Sequence, residues 1–346
     1  MCRLHYPLAI RVSMSLIKQL SINFLIFLIS SFLMLVFLEV LVRNFFPEFN
    51  PADQHVNYYL NNSGVPLLKH RSSTLRQWVN SGEYNVSIYA NDLGFRSRKT
   101  LQNLPANAIY VVGDSFSFGH GVEEEDRFSS LLESYSGRSV ANISIPTDIY
   151  GYEKLLDYAS SNSANIKKII ITICMENDIL DYGEIIAKKA NASFKEIQPI
   201  KRIFKQRSAL YNFATATIKQ NRILLKVANK FGLINSSAPV IYATEVSSSI
   251  ERLVSIRNKY NAEILLLIVP SRGLWGGKLT EEFDFVHRKF VKKVQARGFD
   301  TLDMRQFLEE SGSPLDYHYP IDGHWNKQGH KITAEKLAKH IESIGF

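Results

Sequence analysis

Short apolar runs alternate with amphipathic segments from residue 107 onward. The runs have the β-branched composition of buried strands, and the segments between them repeat apolar residues at helical spacing. The predicted strands are 108–112, 140–145, 168–174, 262–269 and 301–302, and the predicted helices are 128–134, 152–160, 247–260, 282–296 and 331–344. This alternation predicts βαβ units around a parallel sheet, an α/β fold over residues 107–346.

A different pattern occupies the N-terminal part of the chain. Residues 20–38 carry no charge, and Arg3, Arg11 and Lys18 precede them without an acidic neighbour. About 20 apolar residues span a bilayer as a helix, and positive charges favour the cytoplasmic side. A cleaved signal peptide is the alternative, but the run is long for one and no small-residue cleavage pattern follows. We therefore expect a cytoplasmic stretch at 1–19 and a single-pass anchor at 20–42. The remainder is expected on the periplasmic side of the inner membrane.

Two further segments lie outside the strand–helix alternation. Residues 43–106 read as a connector that packs on the main domain, with a strand at 86–90 followed by a turn. Residues 180–240, approximately, read as a helical insertion. Within it, residues 195–230 hold nine Lys/Arg and one Glu. The net charge of this segment therefore equals the net charge of +8 of the whole chain. The segment is either a solvated basic face or a contact for anionic headgroups or polymers.

Composition narrows the class of protein. Outside the insertion the chain is close to neutral, which argues against nucleic acid as a partner. The two cysteines, Cys2 and Cys174, exclude a disulfide framework and a cysteine-based metal site.

Ser115 is a candidate nucleophile, because it follows the predicted strand 108–112 and a tight turn at Gly113. In open α/β sheets ligands bind at the carboxyl ends of strands, and a helix start favours negative charge. The local residues leave a second interpretation open, since serines often cap helices.

Acyl transfer by serine needs a base and a carboxylate that orients it. Asp322 and His324 stand two residues apart in a turn before the last predicted helix. Asn177, at the end of strand 168–174, can donate its side-chain N–H to an oxyanion, or can simply cap the strand. Other candidates are the Asp316/His318 pair, His330, and His120, which we expect to form a wall of the pocket.

Four blocks together resemble the SGNH/GDSL hydrolase superfamily. They are Gly113-Asp114-Ser115-Phe116, Asn142, Asn177-Asp178, and Asp322 with His324, in the order of the family. The Gly-Asp-Ser-Phe and Asp-x-His-Trp forms resemble a bacterial, membrane-anchored subgroup. The resemblance implies a three-layer α/β/α, flavodoxin-like fold over residues 107–346.

The resemblance also implies roles. Ser115 would be the nucleophile, His324 the general base and Asp322 its orienting partner. The oxyanion hole would use the backbone N–H of Ser115, the side chain of Asn177 and the backbone N–H of Thr147. Supporting roles fall to Gly113, Asp114, Asn142 and Asp178.

Three positions depart from the pattern of the family. Thr147 and Met175 replace glycines, and Asp322 and His324 are two residues apart instead of three. The function implied is a serine esterase or O-acyltransferase that works through an acyl-serine. Its expected substrates are O-acyl groups, O-acetyl above all, on cell-envelope or exported carbohydrate, and no metal or organic cofactor is expected. The alternatives are a membrane-associated lipid esterase or thioesterase, and a catalytically degenerate domain that binds glycans or proteins.

Overall fold

The structure, a computed structural model, describes residues 8–49, 58–79, 82–162, 164–179, 203–204, 207–221, 223–224, 227–228, 246–276 and 280–346. Within these residues the α-helices are α1 (Leu8–Phe45), α2 (Ser115–Phe118), α3 (Phe128–Ser136), α4 (Ile149–Ser161), α5 (Ala209–Gln220), α6 (Ser247–Tyr260), α7 (Thr280–Ala296), α8 (Met304–Glu310) and α9 (Lys327–Ser343). The strands are β1 (Tyr58–Leu60), β2 (Pro66–Leu68), β3 (Ser73–Trp78), β4 (Asn85–Ala90), β5 (Ile109–Val112), β6 (Val140–Asn142), β7 (Lys168–Cys174), β8 (Glu263–Val269) and β9 (Asp300–Asp303).

Five parallel strands form the central sheet, in the order β6-β5-β7-β8-β9. Ile109 of β5 lies opposite both Val140 of β6 and Lys168 of β7. The chain order therefore reverses at β5, which makes its carboxyl end a topological switch point, the usual place for a ligand in such sheets.

Helices cover both faces of this sheet. Along β5, Tyr110 and Val112 pack in the same cluster as buried residues of α4, α6 and α7, whereas Ile109 and Val111 pack with α3 and α9. Successive side chains of a strand point to opposite faces, so a strand buried on both faces must be apolar throughout. The predicted α/β/α fold with a parallel sheet is confirmed.

Element ends differ from the prediction where a polar side chain caps the chain. Strand β6 ends at Asn142 and not at residue 145, because the Asn142 Oδ1 accepts from the backbone N–H of Ser144 at 2.9 Å and turns the chain. Helix α9 begins at Lys327, earlier than predicted, because Asn326 accepts from two backbone N–H groups of the first turn.

The connector packs against the main domain through two antiparallel hairpins, β1–β2 and β3–β4. Its Leu67, Ile88 and Phe95 are fully buried in the same cluster as Tyr110 of the sheet. Arg96 is also buried, and its guanidinium donates to the carbonyls of Phe118, Gly119 and Val122. The connector thus shapes the loop that follows Ser115.

Helix α1 extends beyond the predicted anchor. Its section Gln19–Phe45, of 27 residues, is long and apolar enough to cross a membrane, and most of its side chains are exposed. Of the predicted insertion at 180–240, helix α5 is described, whereas most of the remaining residues, including most of its lysines and arginines, lie outside the described part of the chain.

Candidate active site

Ser115 is the first residue of the short helix α2, directly after the turn that ends β5. Asp114 caps this helix, since its side chain accepts the backbone N–H of Phe116 at 2.9 Å. A Cβ on Gly113 would lie 2.5 Å from the Ser117 Oγ, so only glycine fits there. Because Asp114 does the capping, the Ser115 hydroxyl is available for another contact.

That contact is with His324. The Ser115 Oγ lies 2.8 Å from the His324 Nε2, and the His324 Nδ1 is hydrogen-bonded to the Asp322 Oδ1. An ionised carboxylate can only accept, so Nδ1 carries the proton and Nε2 accepts the serine proton. The three groups form one line from carboxylate to imidazole to hydroxyl, the arrangement that allows a serine to act as a nucleophile.

The connector holds the Asp322 loop in place. The Glu83 carboxylate accepts from the backbone N–H groups of Ile321 and Asp322 at 2.7 and 2.9 Å. The hydroxyl of the neighbouring Tyr84 donates to the Asp322 Oδ2 at 3.1 Å. Sequence reasoning missed both residues, since they lie 238 positions before their partners and belong to no motif.

His120 lies against the imidazole of His324. Its ring stacks on that of His324, with centroids 4.2 Å apart and planes inclined by 26°. The Gln77 amide fixes its tautomer: the Gln77 Oε1 accepts from the backbone N–H of Gly121 at 2.8 Å, so the amide nitrogen faces the His120 Nδ1 at 2.9 Å. Nδ1 therefore accepts, and the proton of neutral His120 is on Nε2.

The electrostatic environment keeps the Asp322 carboxylate ionised. Burial alone would raise the pKa of Asp322, but the hydrogen bond and positive charge of His324 outweigh it and hold that pKa well below its usual range. Asp322 therefore stays ionised at neutral pH and can stabilise an imidazolium on His324.

The ligand atoms of His120, Asp322 and His324 also lie within 4.8 Å of one another, a spacing that could hold a metal ion. In this arrangement Asp322 and His324 are hydrogen-bonded to each other, and His324 to Ser115. A bound cation would compete for the atoms that move the serine proton.

Residues 244–345 match the family described as "ALGX: SGNH hydrolase-like domain, acetyltransferase AlgX". This part of the chain, about three tenths of the whole, is an SGNH hydrolase-like domain. The protein is an enzyme that acts on ester bonds, a hydrolase or an acetyltransferase. Among curated proteins, no sequence matches this chain.

Solved structures of similar fold include a member of the lipolytic protein G-D-S-L family from Veillonella parvula, with 12% identity and a TM-score of 0.40 over 67% of this chain and 96% of that one. The lipase/acylhydrolase from Enterococcus faecalis has 10% identity and a TM-score of 0.42 over 68% and 96%. A carbohydrate esterase family 2 enzyme from Corynascus thermopiles has 12% identity and a TM-score of 0.43 over 77% and 74%.

Of the SGNH residues expected to bind an oxyanion, Asn177 lies near the nucleophile. Its Nδ2 is 3.4 Å from the Asp114 Oδ2, which is itself 3.5 Å from the Ser115 Oγ. The Asn177 side chain is exposed, so it faces the open side of the site. Thr147 lies between β6 and α4, with its side chain packed against Gly151. The Ser115 backbone N–H belongs to the first turn of α2, where helical N–H groups have no partner within the helix.

The supporting residues are buried and bonded to the backbone. The Asn142 Nδ2 donates to the Ser117 carbonyl at 2.7 Å, which ties β6 to helix α2. Asp178 accepts from the backbone N–H of Cys174 at 2.7 Å and from the Tyr152 hydroxyl at 2.8 Å. Burial, with the nearby charge of Asp114, raises the pKa of Asp178 well above its usual value.

The remaining candidate bases lie away from Ser115. The His318 Nδ1 contacts the Pro314 carbonyl at 3.2 Å, and the His330 Nδ1 accepts from the backbone N–H of Phe128 at 3.3 Å. Both histidines are buried, and burial with nearby arginine charge lowers the pKa of each to about 3. Asp316 is exposed. These residues contribute to packing rather than to the line through His324.

Proposed function

We propose that the protein is a serine esterase or O-acyltransferase in which Ser115 is the nucleophile, His324 the general base and Asp322 the orienting carboxylate. The observation that carries this proposal is the continuous line of contacts from Asp322 through His324 to Ser115. The Ser115 N–H, the Asn177 amide and the Thr147 N–H are the proposed oxyanion donors.

In the first half of the reaction the Ser115 Oγ attacks the ester carbonyl and His324 takes the hydroxyl proton. The oxyanion donors hold the tetrahedral intermediate, which collapses to an acyl-serine as His324 returns the proton to the leaving alkoxide. In the second half His324 deprotonates water or a sugar hydroxyl, which attacks the acyl-serine and regenerates Ser115.

For the substrate we propose O-acyl groups, O-acetyl in particular, on cell-envelope or exported carbohydrate. The family matched by residues 244–345 carries acetyltransferase in its description, which supports transfer of an acetyl group. Helix α1 supports a site close to a membrane, and the positive charges before it support the periplasmic side. The chain is then a single-pass protein of the inner membrane.

The test uses the full chain in detergent micelles, with a fluorophosphonate probe and p-nitrophenyl acetate. We expect the parent to be labelled and active, and Ser115→Ala to lose both signals. His324→Ala should lose turnover by about a thousandfold or more, because the serine hydroxyl is then without its base.

A matched control comes from the same helix. Ser117 has a buried hydroxyl with no hydrogen-bond partner among the described residues, so Ser117→Ala should leave labelling and turnover close to the parent. A folded parent that is neither labelled nor active would overturn the mechanism, and glycan binding that survives Ser115→Ala would then favour the binding-module alternative.

A lipid esterase or thioesterase is the second candidate, favoured by the apolar helix α1. A series of p-nitrophenyl esters and acyl thioesters of increasing chain length separates the two functions. Activity that is highest at acetyl, with release of acetate from acetylated oligosaccharides, supports the carbohydrate substrate. Activity that rises with chain length supports the lipid substrate instead.

A further inference from the structure

The end of helix α1 is joined to helix α5 by a carboxylate. Glu39 of α1 accepts from the Ser208 Oγ at 2.8 Å and from the backbone N–H groups of Ala209 and Leu210 at 2.9 Å each. These are the N-cap and the first turn of α5, whose N–H groups favour a negative partner. Arg43, one turn further along α1, donates to the Arg207 carbonyl at 2.7 Å.

Apolar packing reinforces this contact. Val42 of α1 is buried in one cluster with Ala209 and Ala216 of α5. The ring of Phe213 packs on that of Phe46, with centroids 5.1 Å apart. Helix α5 is therefore held along α1 over about one to two turns, by polar and apolar contacts together.

The position of Glu39 along α1 fixes the level of α5 relative to a bilayer. Residues 20–38 are uncharged, and at 1.5 Å per residue this run is about 28 Å long, close to the hydrocarbon core of about 30 Å. Glu39 is the first charged residue after the run, so it lies at the level of the headgroups when residues 20–38 span the core. The start of α5, which is bonded to Glu39, lies at the same level.

Two large apolar side chains just before the N-cap of α5 are exposed near this level. We call them the apolar patch; it consists of Ile203 and Phe204, which are 51% and 52% exposed. In water such side chains leave apolar area exposed, whereas at the boundary between headgroups and acyl chains they are buried in lipid.

The sequence around the patch is basic. Residues 195–230 hold nine Lys/Arg and one Glu. Cationic side chains beside apolar ones are typical of segments that lie in the plane of a membrane that carries anionic lipids.

We propose that the apolar patch inserts into the same bilayer that α1 spans, as a second, interfacial contact of the chain with lipid. The anchor and the patch together would restrict rotation of the catalytic domain about the axis of α1. This inference rests on the proposed membrane location, and not on the identity of the substrate.

The experiment places a tryptophan at the patch in the full chain, reconstituted in nanodiscs that contain anionic phospholipid. The variants are Ile203→Trp and Phe204→Trp, and emission of the parent is subtracted to remove Trp78, Trp275 and Trp325. The quenchers are acrylamide in water and phosphatidylcholine spin-labelled either near the headgroup or near the end of the acyl chain. We expect strong quenching by the label near the headgroup, weaker quenching by the deep label, and little by acrylamide.

Two controls make the outcome decisive. Phe285→Trp lies on the exposed surface of α7 and should be quenched by acrylamide alone, whereas Phe27→Trp lies in the middle of α1 and should respond most to the deep label. If Phe27→Trp responds most to the deep label and the patch variants are quenched by acrylamide alone, the patch proposal is wrong while the anchor stands.

A patch that is shielded from acrylamide but not quenched by the lipid labels would indicate a protein partner, and this result would also overturn the proposal. If Phe27→Trp itself gives no lipid quenching, the membrane location fails, and the patch proposal with it.

Discussion

The imidazole of His120 covers one face of the imidazole of His324, with ring centroids 4.2 Å apart. The Gln77 amide nitrogen lies 2.9 Å from the His120 Nδ1, and this contact holds the stacked ring in place beside His324.

This contact predicts different effects for two substitutions of His120. His120→Ala removes the stacked ring and should lower kcat roughly twofold to tenfold, in line with about 0.5–1.5 kcal/mol for an aromatic pair. His120→Phe keeps a flat ring in place and should retain most of the activity. Turnover of p-nitrophenyl acetate, with kcat and KM measured separately, checks the prediction. Equal losses in both variants would assign the effect to the nitrogen atoms of His120 and not to stacking.

Tyr84 is expected to support catalysis from the connector. Tyr84→Phe keeps the ring but removes the donor to the Asp322 carboxylate, and hydrogen bonds to charged groups are worth about 1.5–3 kcal/mol. We expect kcat to fall by about tenfold or more. Tyr319→Phe is the matched control, since that hydroxyl donates to the neutral Gly121 carbonyl at 2.8 Å. An equal effect of the two substitutions on kcat would contradict a specific role for Tyr84.

Buried neutral histidines predict sensitivity to acid. The pKa of His318 and that of His330 are each lowered to about 3, mainly by burial, from an ordinary 6.5. Between these values the unfolded chain binds a proton that the folded chain excludes, so stability falls as the pH falls. Within this window each histidine lowers the free energy of unfolding by about 1.4 kcal/mol for each unit by which the pH falls.

The measurement is the Tm of the full chain between pH 6.5 and 4.5. In His330→Asn the amide oxygen can still accept from the Phe128 N–H, and the Tm should fall less steeply with acid than in the parent. His70→Asn, at an exposed position, should follow the parent curve. If His330→Asn and the parent give parallel curves, His330 does not titrate as proposed.

Asp178 predicts the opposite dependence on pH. Burial, together with the charge of Asp114, raises its pKa, so the folded chain keeps a proton that the unfolded chain releases above about pH 4. Stability from this group therefore falls as the pH rises toward the raised pKa.

Asp178→Asn cannot ionise, and its oxygen can still accept from Cys174 and Tyr152. We expect the Tm of the variant minus the Tm of the parent to increase from pH 4.5 to pH 8. Asp92→Asn, at an exposed position, serves as control. A constant difference over this range would show that Asp178 is already ionised in the folded protein.

The sequence predicts the central strands β5, β7 and β8 well because they are apolar over almost their whole length. Strand β7 and helix α6 have the predicted bounds, 168–174 and 247–260. The predicted starts of α4 and α9 lie too far along the chain, although Asp148 and Asn326 precede the two helices as N-caps. These caps are visible in the sequence once the start of each helix is sought at a polar residue.

Within the site, the sequence points to the residues with chemical roles but not to those that hold them. Ser115, Asp322 and His324 belong to short motifs, and the structure brings them together. Gln77, Glu83 and Tyr84 come from a hairpin with an ordinary alternating pattern. Their positions in the site depend on how the hairpin packs on the sheet. The spacing of residues along the sequence does not predict this packing.

The contact between Ser115 and His324 joins positions 209 residues apart, with most of the sheet and its helices between them. Chains are synthesised from the N-terminus at about 5–20 residues per second, so Ser115 emerges roughly 10 to 40 seconds before its base. During that interval Ser115 is a plain hydroxyl without a base. In the proposed mechanism the serine becomes reactive only when the turn before the last helix brings His324 to it.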